Sequence, residues 1–101
     1  MKLGDCYEAA VKYVLYKDPK AIMVHGLPIL STDGKPFGHA WVEKGRTCID
    51  VANGNHTELP KILYYRLGHI SDKVYEYTVD QIQEKIMKTG NWGPWELNPP
   101  R

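Results

Sequence analysis

His39-Ala40-Trp41-Val42-Glu43-Lys44-Gly45-Arg46-Thr47-Cys48-Ile49-Asp50 is the stretch that decides the architecture. Polar and apolar side chains alternate on both sides of Lys44-Gly45, the period of two that a half-buried strand needs. Taking Lys44 and Gly45 as a two-residue loop predicts a hairpin of strands His39–Glu43 and Arg46–Val51. Glu43 then faces Arg46, Trp41 faces Cys48, and His39 faces Asp50. Those six residues share one face of the sheet. Ala40, Val42, Thr47, Ile49 and Val51 make the other, which reads as core, and a one-residue slip would break the match of polar with polar. The register sets an imidazole beside a carboxylate, a pairing that orients a histidine and fixes its tautomer.

Upstream of the hairpin, Asp5 followed by Glu8 has the form of a capping box and predicts a helix over Asp5–Lys17. Ala10, Val11, Val14 and Leu15 recur at helical spacing, and Asp18-Pro19 ends the element because a residue before proline leaves the helical region. Ala21–Leu30 reads as extended, with Pro28 marking an edge or a bulge. Ser31–Gly38 holds Asp33-Gly34 and Lys35-Pro36 and reads as a loop.

Downstream, Ala52-Asn53-Gly54-Asn55 is a second turn. Pro60–Ile70 suits two readings: Ile62, Leu63, Tyr64 and Tyr65 fit a strand, while Leu59, Ile62, Leu63 and Leu67 fit a short helix. Val74–Tyr77 is a short strand. Thr78 with Gln81 is another capping box, opening a helix through Val79, Ile82, Ile86 and Met87 that Gly90 stops. Trp92-Gly93-Pro94-Trp95 leads into a Pro-rich tail. The expected fold class is α+β: an N-terminal helix on a small, mainly antiparallel sheet, with a second helix near the C-terminus.

The 101 residues suffice for one domain, and 43% apolar content supplies its core. Thirteen basic and twelve acidic residues, a net charge of +1, are mixed along the chain. That balance predicts neither a nucleic-acid nor an anionic-membrane partner. No apolar run reaches the roughly 18 residues of a membrane span. Met1 to Cys6 enters a helix pattern with no signal-peptide core, so the expected location is the cytosol. Cys6 and Cys48 are then expected to be free thiols.

A nucleophile for the His39–Asp50 pair is available in Cys6. The sequence places it at the first helical position, where unpaired N–H groups and the helix dipole favour a thiolate. Its own backbone N–H is a candidate oxyanion donor. Asp5-Cys6 at a helix start, His39-Ala-Trp-Val-Glu43 and then Cys48-Ile-Asp50 on the next strand resemble the core of papain-like and transglutaminase-like cysteine hydrolases, over roughly residues 4 to 54. In that superfamily Cys begins a helix, and His and Asp (or Asn) sit on neighbouring strands in this chain order. The resemblance implies a minimal domain over residues 1–101, a Cys6–His39–Asp50 catalytic triad, no cofactor or metal, and a protein or peptide substrate. The sequence is also similar to small phage and prophage proteins with a comparable Trp-Gly-Pro-Trp ending. It departs from the enzymes in its short length and in lacking the Gln they carry ahead of the Cys. A second oxyanion donor would come from the Tyr7 or Trp41 side chain, or from another backbone amide.

Three functions follow. The leading one is cleavage or transfer at an amide, isopeptide or thioester bond. The second is a catalytically silent binding protein on the same fold, such as a phage modulator of a host protein. The third is a zinc site of Cys6, His39, Cys48 and Asp50, which lacks paired ligand spacing. Among the remaining residues, Cys48 reads as a core thiol and Trp41 as half core, half cleft wall. His25, His56 and His69 read as surface or strand residues, and Tyr64, Tyr65, Tyr75 and Tyr77 as sheet aromatics. Trp92 and Trp95 read as pins for the tail.

Overall fold

Lys44 pairs with Thr47, Glu43 with Cys48 and Val42 with Ile49, so the hairpin turns at Gly45-Arg46. The computed structural model describes residues 5–29, 33–54, 56–71 and 73–98. Its elements are α1 (Asp5–Lys12) continuing into a π-helical turn (Tyr13–Lys17), β1 (Ile22–Gly26), β2 (His39–Lys44), β3 (Thr47–Asp50), β4 (Thr57–Pro60), α2 (Lys61–Leu67), β5 (Tyr75–Tyr77) and α3 (Val79–Thr89). The strands form one antiparallel sheet in the order β4-β3-β2-β1-β5. This is the α+β arrangement expected, with helices at both ends of the described chain and an antiparallel sheet between them.

The turn lies one residue later than the sequence predicts, because Gly45 is the residue at positive φ (62°). A two-residue hairpin loop of type II′ takes glycine in its first position, which places Gly45 there and Arg46 after it. The shift moves each partner by two residues, so His39 is not opposite Asp50 and Trp41 is not opposite Cys48. An even shift preserves the faces, however. Ala40, Val42 and Ile49 are buried with Tyr7, Ala10, Val11 and Val14 of the N-terminal helix and Ile82 of α3. Trp41 and Cys48 lie on the opposite face with Val24, packed by Tyr64, Tyr65, Ile70 and Val74.

The N-terminal helix ends at Asp18, whose N–H bonds Tyr13 O at 3.0 Å, just before Pro19. β1 is an interior strand that stops at Gly26, two residues short of Pro28; only an isolated bridge, Ile29 to Pro36, follows. After the Ala52–Gly54 turn the chain forms β4 up to Pro60, a strand the sequence did not predict. From Lys61 it is helical, resolving the two readings of this segment. Tyr64 and Tyr65 are therefore helical residues, not sheet aromatics. In α3 the Thr78–Gln81 capping box is complete, and Gly90 closes the helix in the left-handed region. Leu30–Thr32, Asn55, Pro99–Arg101 and the side chain of Asp5, with the capping box expected of it, lie outside the described residues.

Candidate active site

β2 begins with His39 and β3 ends with Asp50, so the hairpin carries both to the same end of the sheet. Their contact is diagonal: His39 Nε2 lies 2.8 Å from Asp50 Oδ2. Asp50 takes two further donors, the Tyr64 hydroxyl on Oδ2 at 2.8 Å and the Ala52 N–H on Oδ1 at 3.0 Å. Burial raises the Asp50 carboxyl, but the His39 ion pair and these hydrogen bonds outweigh it and hold Asp50 below the usual carboxylate range.

α1 brings Cys6 to this pair. The helix starts at Asp5, so Cys6 is its second residue, half-buried against the core cluster. Its backbone N–H is among the first four, which have no partner within a helix. For His39, burial disfavours the imidazolium. Hydrogen bonds with Asp50 and Cys6, and the charge of both, prevail and push it up to about 9. The fold thus joins His39 and Asp50 in a direct contact, and α1 sets Cys6 close enough for its charge to act on the imidazole.

Aromatic rings fix the imidazole from two sides. Trp41 stacks on it at 6.1 Å between centroids and 26° between planes, and Phe37 lies at 5.6 Å. Trp41 is fully buried, so it is core throughout and forms no cleft wall. Gly26 makes room for it: a Cβ there would fall 2.6 Å from the indole Cη2. Trp41 Nε1 donates to Glu43 Oε2 at 2.9 Å, which removes it as an oxyanion donor. Tyr7 is no better placed, since its hydroxyl is buried and the residue packs edge-on against His25 in the main core.

Glu43 was not singled out by sequence, yet it anchors a second buried network. Oε2 accepts from Trp41, from the Tyr65 hydroxyl at 2.6 Å and from the Cys48 thiol at 3.7 Å, while Lys61 Nζ lies 3.1 Å from Oε1. Burial and the Glu43 charge push the Cys48 thiol up to about 12, the opposite of an activated nucleophile. Cys48 is thus directed to Glu43 and away from the other three zinc candidates. Among the described residues no group of three or more His, Cys, Asp or Glu side chains is arranged to hold a metal ion. Both cysteines are free thiols.

The remaining histidines divide. His56 is exposed and bonds Glu58 at 2.6 Å. His69 follows α2 at positive φ. His25 is a strand residue but not a surface one: it is buried among Tyr7, Tyr77 and Trp95, and neither ring nitrogen has a partner. Trp95 thereby pins the tail as expected, and Trp92 lies under Lys12 Nζ. No helix of the described residues is long and apolar enough to cross a membrane. Comparison with known proteins finds no matching family model, no matching curated protein and no matching solved structure.

Proposed function

We propose that the protein is a cysteine-dependent hydrolase or acyl-transfer enzyme of the papain/transglutaminase-like kind, acting on an amide, isopeptide or thioester bond in a protein or peptide. The observation that carries this reading is the His39 imidazole held by Asp50 through Nε2 at 2.8 Å, with Cys6 of α1 near enough to act on the same ring. In its neutral form His39 takes the proton of Cys6 and so generates the thiolate. The thiolate attacks the carbonyl carbon, a C–S bond forms, and the oxyanion is met by the Cys6 N–H. His39 returns its proton to the departing amine or thiol as the carbonyl re-forms. Water or an acceptor amine then attacks the thioester, gives its proton to His39 and releases Cys6. Asp50 keeps the imidazole in place and balances its charge throughout.

The test is acylation by p-nitrophenyl acetate. A nitrophenolate burst with an acetyl adduct mapped to Cys6, both lost in Cys6→Ala, is the expected result. An unmodified, folded protein would leave the second reading, a binding protein on the same fold without turnover. One observation favours that alternative: the two side chains named as second oxyanion donors, Trp41 and Tyr7, are both turned into the interior.

A further inference from the structure

The sheet face that carries His39, Trp41 and Glu43 has a seven-residue helix, α2, against it. At the hairpin-turn end that cover is incomplete and leaves a trough of about 770 Å3. Ile62 and Tyr65 of α2 and Val74 ahead of β5 line it, with Arg46 and Lys61 on the hairpin side and Glu76 contributed by β5. We infer that this trough binds a short apolar peptide by its free C-terminal carboxylate.

Three features argue for that occupant. The volume falls in the range of small-ligand sites and the walls are mainly apolar, with Ile62 standing 73% exposed. The charges are separated. Arg46 is exposed and makes no ion pair among the described residues, and Lys61 spans from Glu43 to a position 5.4 Å over the Tyr65 ring. Glu76, also without an ion pair among the described residues, supplies the acidic group. A cationic side, an apolar middle and an acidic side match a peptide lying across the trough, carboxylate to Arg46 and Lys61, N–H groups to Glu76. The cationic side of the trough lies at the turn end of the hairpin, where Glu43, the partner of Lys61, is four residues and so roughly 13 Å along β2 from His39.

Titrating the full chain with the tripeptide Leu-Leu-Phe, followed by amide 1H–15N shifts, tests this directly. Perturbations should centre on Arg46, on 61–65 and on 74–76. Amidating the peptide's C-terminus should weaken binding about fivefold, the value of one exposed ion pair. Arg46→Ala, a turn substitution whose spectrum also reports its fold, should weaken the free acid and reduce its advantage over the amide. Ile62→Asn should weaken both peptides. Equal affinity for acid and amide in the unaltered protein, perturbations confined to the Cys6–His39 end, or no perturbation at millimolar peptide would each overturn the assignment.

Discussion

Tyr64 and His39 hydrogen-bond one and the same oxygen of Asp50, each at 2.8 Å. The shared acceptor makes Tyr64 a positioning residue. Its hydroxyl draws charge from Oδ2 and so moderates the hold of Asp50 on the imidazolium. In Tyr64→Phe the His39 pKa should rise further, seen as an alkaline shift of the imidazole proton resonances. Stability should fall by about 1–2 kcal/mol, since a hydrogen bond to a charged group is lost. An unchanged His39 titration would show that Tyr64 only packs.

The thiols should react unequally. Cys6 is half-buried beside an imidazolium, whereas Cys48 is wholly buried and pushed up to about 12. Iodoacetamide at neutral pH should alkylate Cys6 first, and peptide mapping should recover Cys48 unmodified until the protein unfolds. Equal rates, or Cys48 reacting first, would remove Cys6 as nucleophile.

Two histidines pull the pH dependence of stability in opposite directions. His39, raised from 6.5 to about 9, contributes stability that is full below 6.5 and is lost as pH climbs through 9. Burial lowers His25 to about 4, so its contribution is full above 6.5 and is lost as pH falls toward 4. The acid loss is on the order of 3 kcal/mol. Urea midpoints should therefore peak near pH 6–7 and decline both toward pH 4.5 and toward pH 8.5. His39→Gln should flatten the alkaline side alone, and His25→Phe the acid side alone. A wild-type profile level from 6.5 to 8.5 would contradict the raised His39.

Truncation should separate chemistry from scaffold. Cys6→Ala removes one sulfur at a half-buried helix start and should cost at most about 1 kcal/mol. Asp50→Ala strands three donors, His39 Nε2, the Tyr64 hydroxyl and the Ala52 N–H, and should cost about 1–3 kcal/mol. Denaturant melts at pH 7 showing the reverse order would count against a site at Cys6.

The hairpin was legible because alternation over His39–Asp50 is a two-residue signal that survives an error in the turn. The faces came out correctly even though Gly45-Arg46, not Lys44-Gly45, is the loop. The feature that decides the turn is a dihedral, φ of Gly45, which composition alone does not reveal. Tyr64 and Tyr65 were missed because Pro60–Ile70 satisfies two periodicities at once. A signal was nonetheless present: two carboxylates, Glu43 and Asp50, on one buried face require donors, and Tyr64-Tyr65 after a proline supplies two hydroxyls. His25 lies in a strand, one of the two places expected of it; its complete burial among aromatic rings without a hydrogen-bond partner was not legible, because it runs against the usual satisfaction of buried polar groups.

The parts of the site differ in how far the chain must travel to assemble them. His39 and Asp50 are eleven residues apart and meet across a hairpin closed by a two-residue turn. Cys6 lies thirty-three positions before His39 and arrives only when α1 docks on the sheet. Loop closure favours the short connection, so a folding chain can form the base and its anchor before the thiol joins them. On the proposed function, reactivity is then the last property the molecule acquires. A chain whose α1 has not yet docked holds its base and anchor without the nucleophile, and turnover would serve as a clock for completion of the fold.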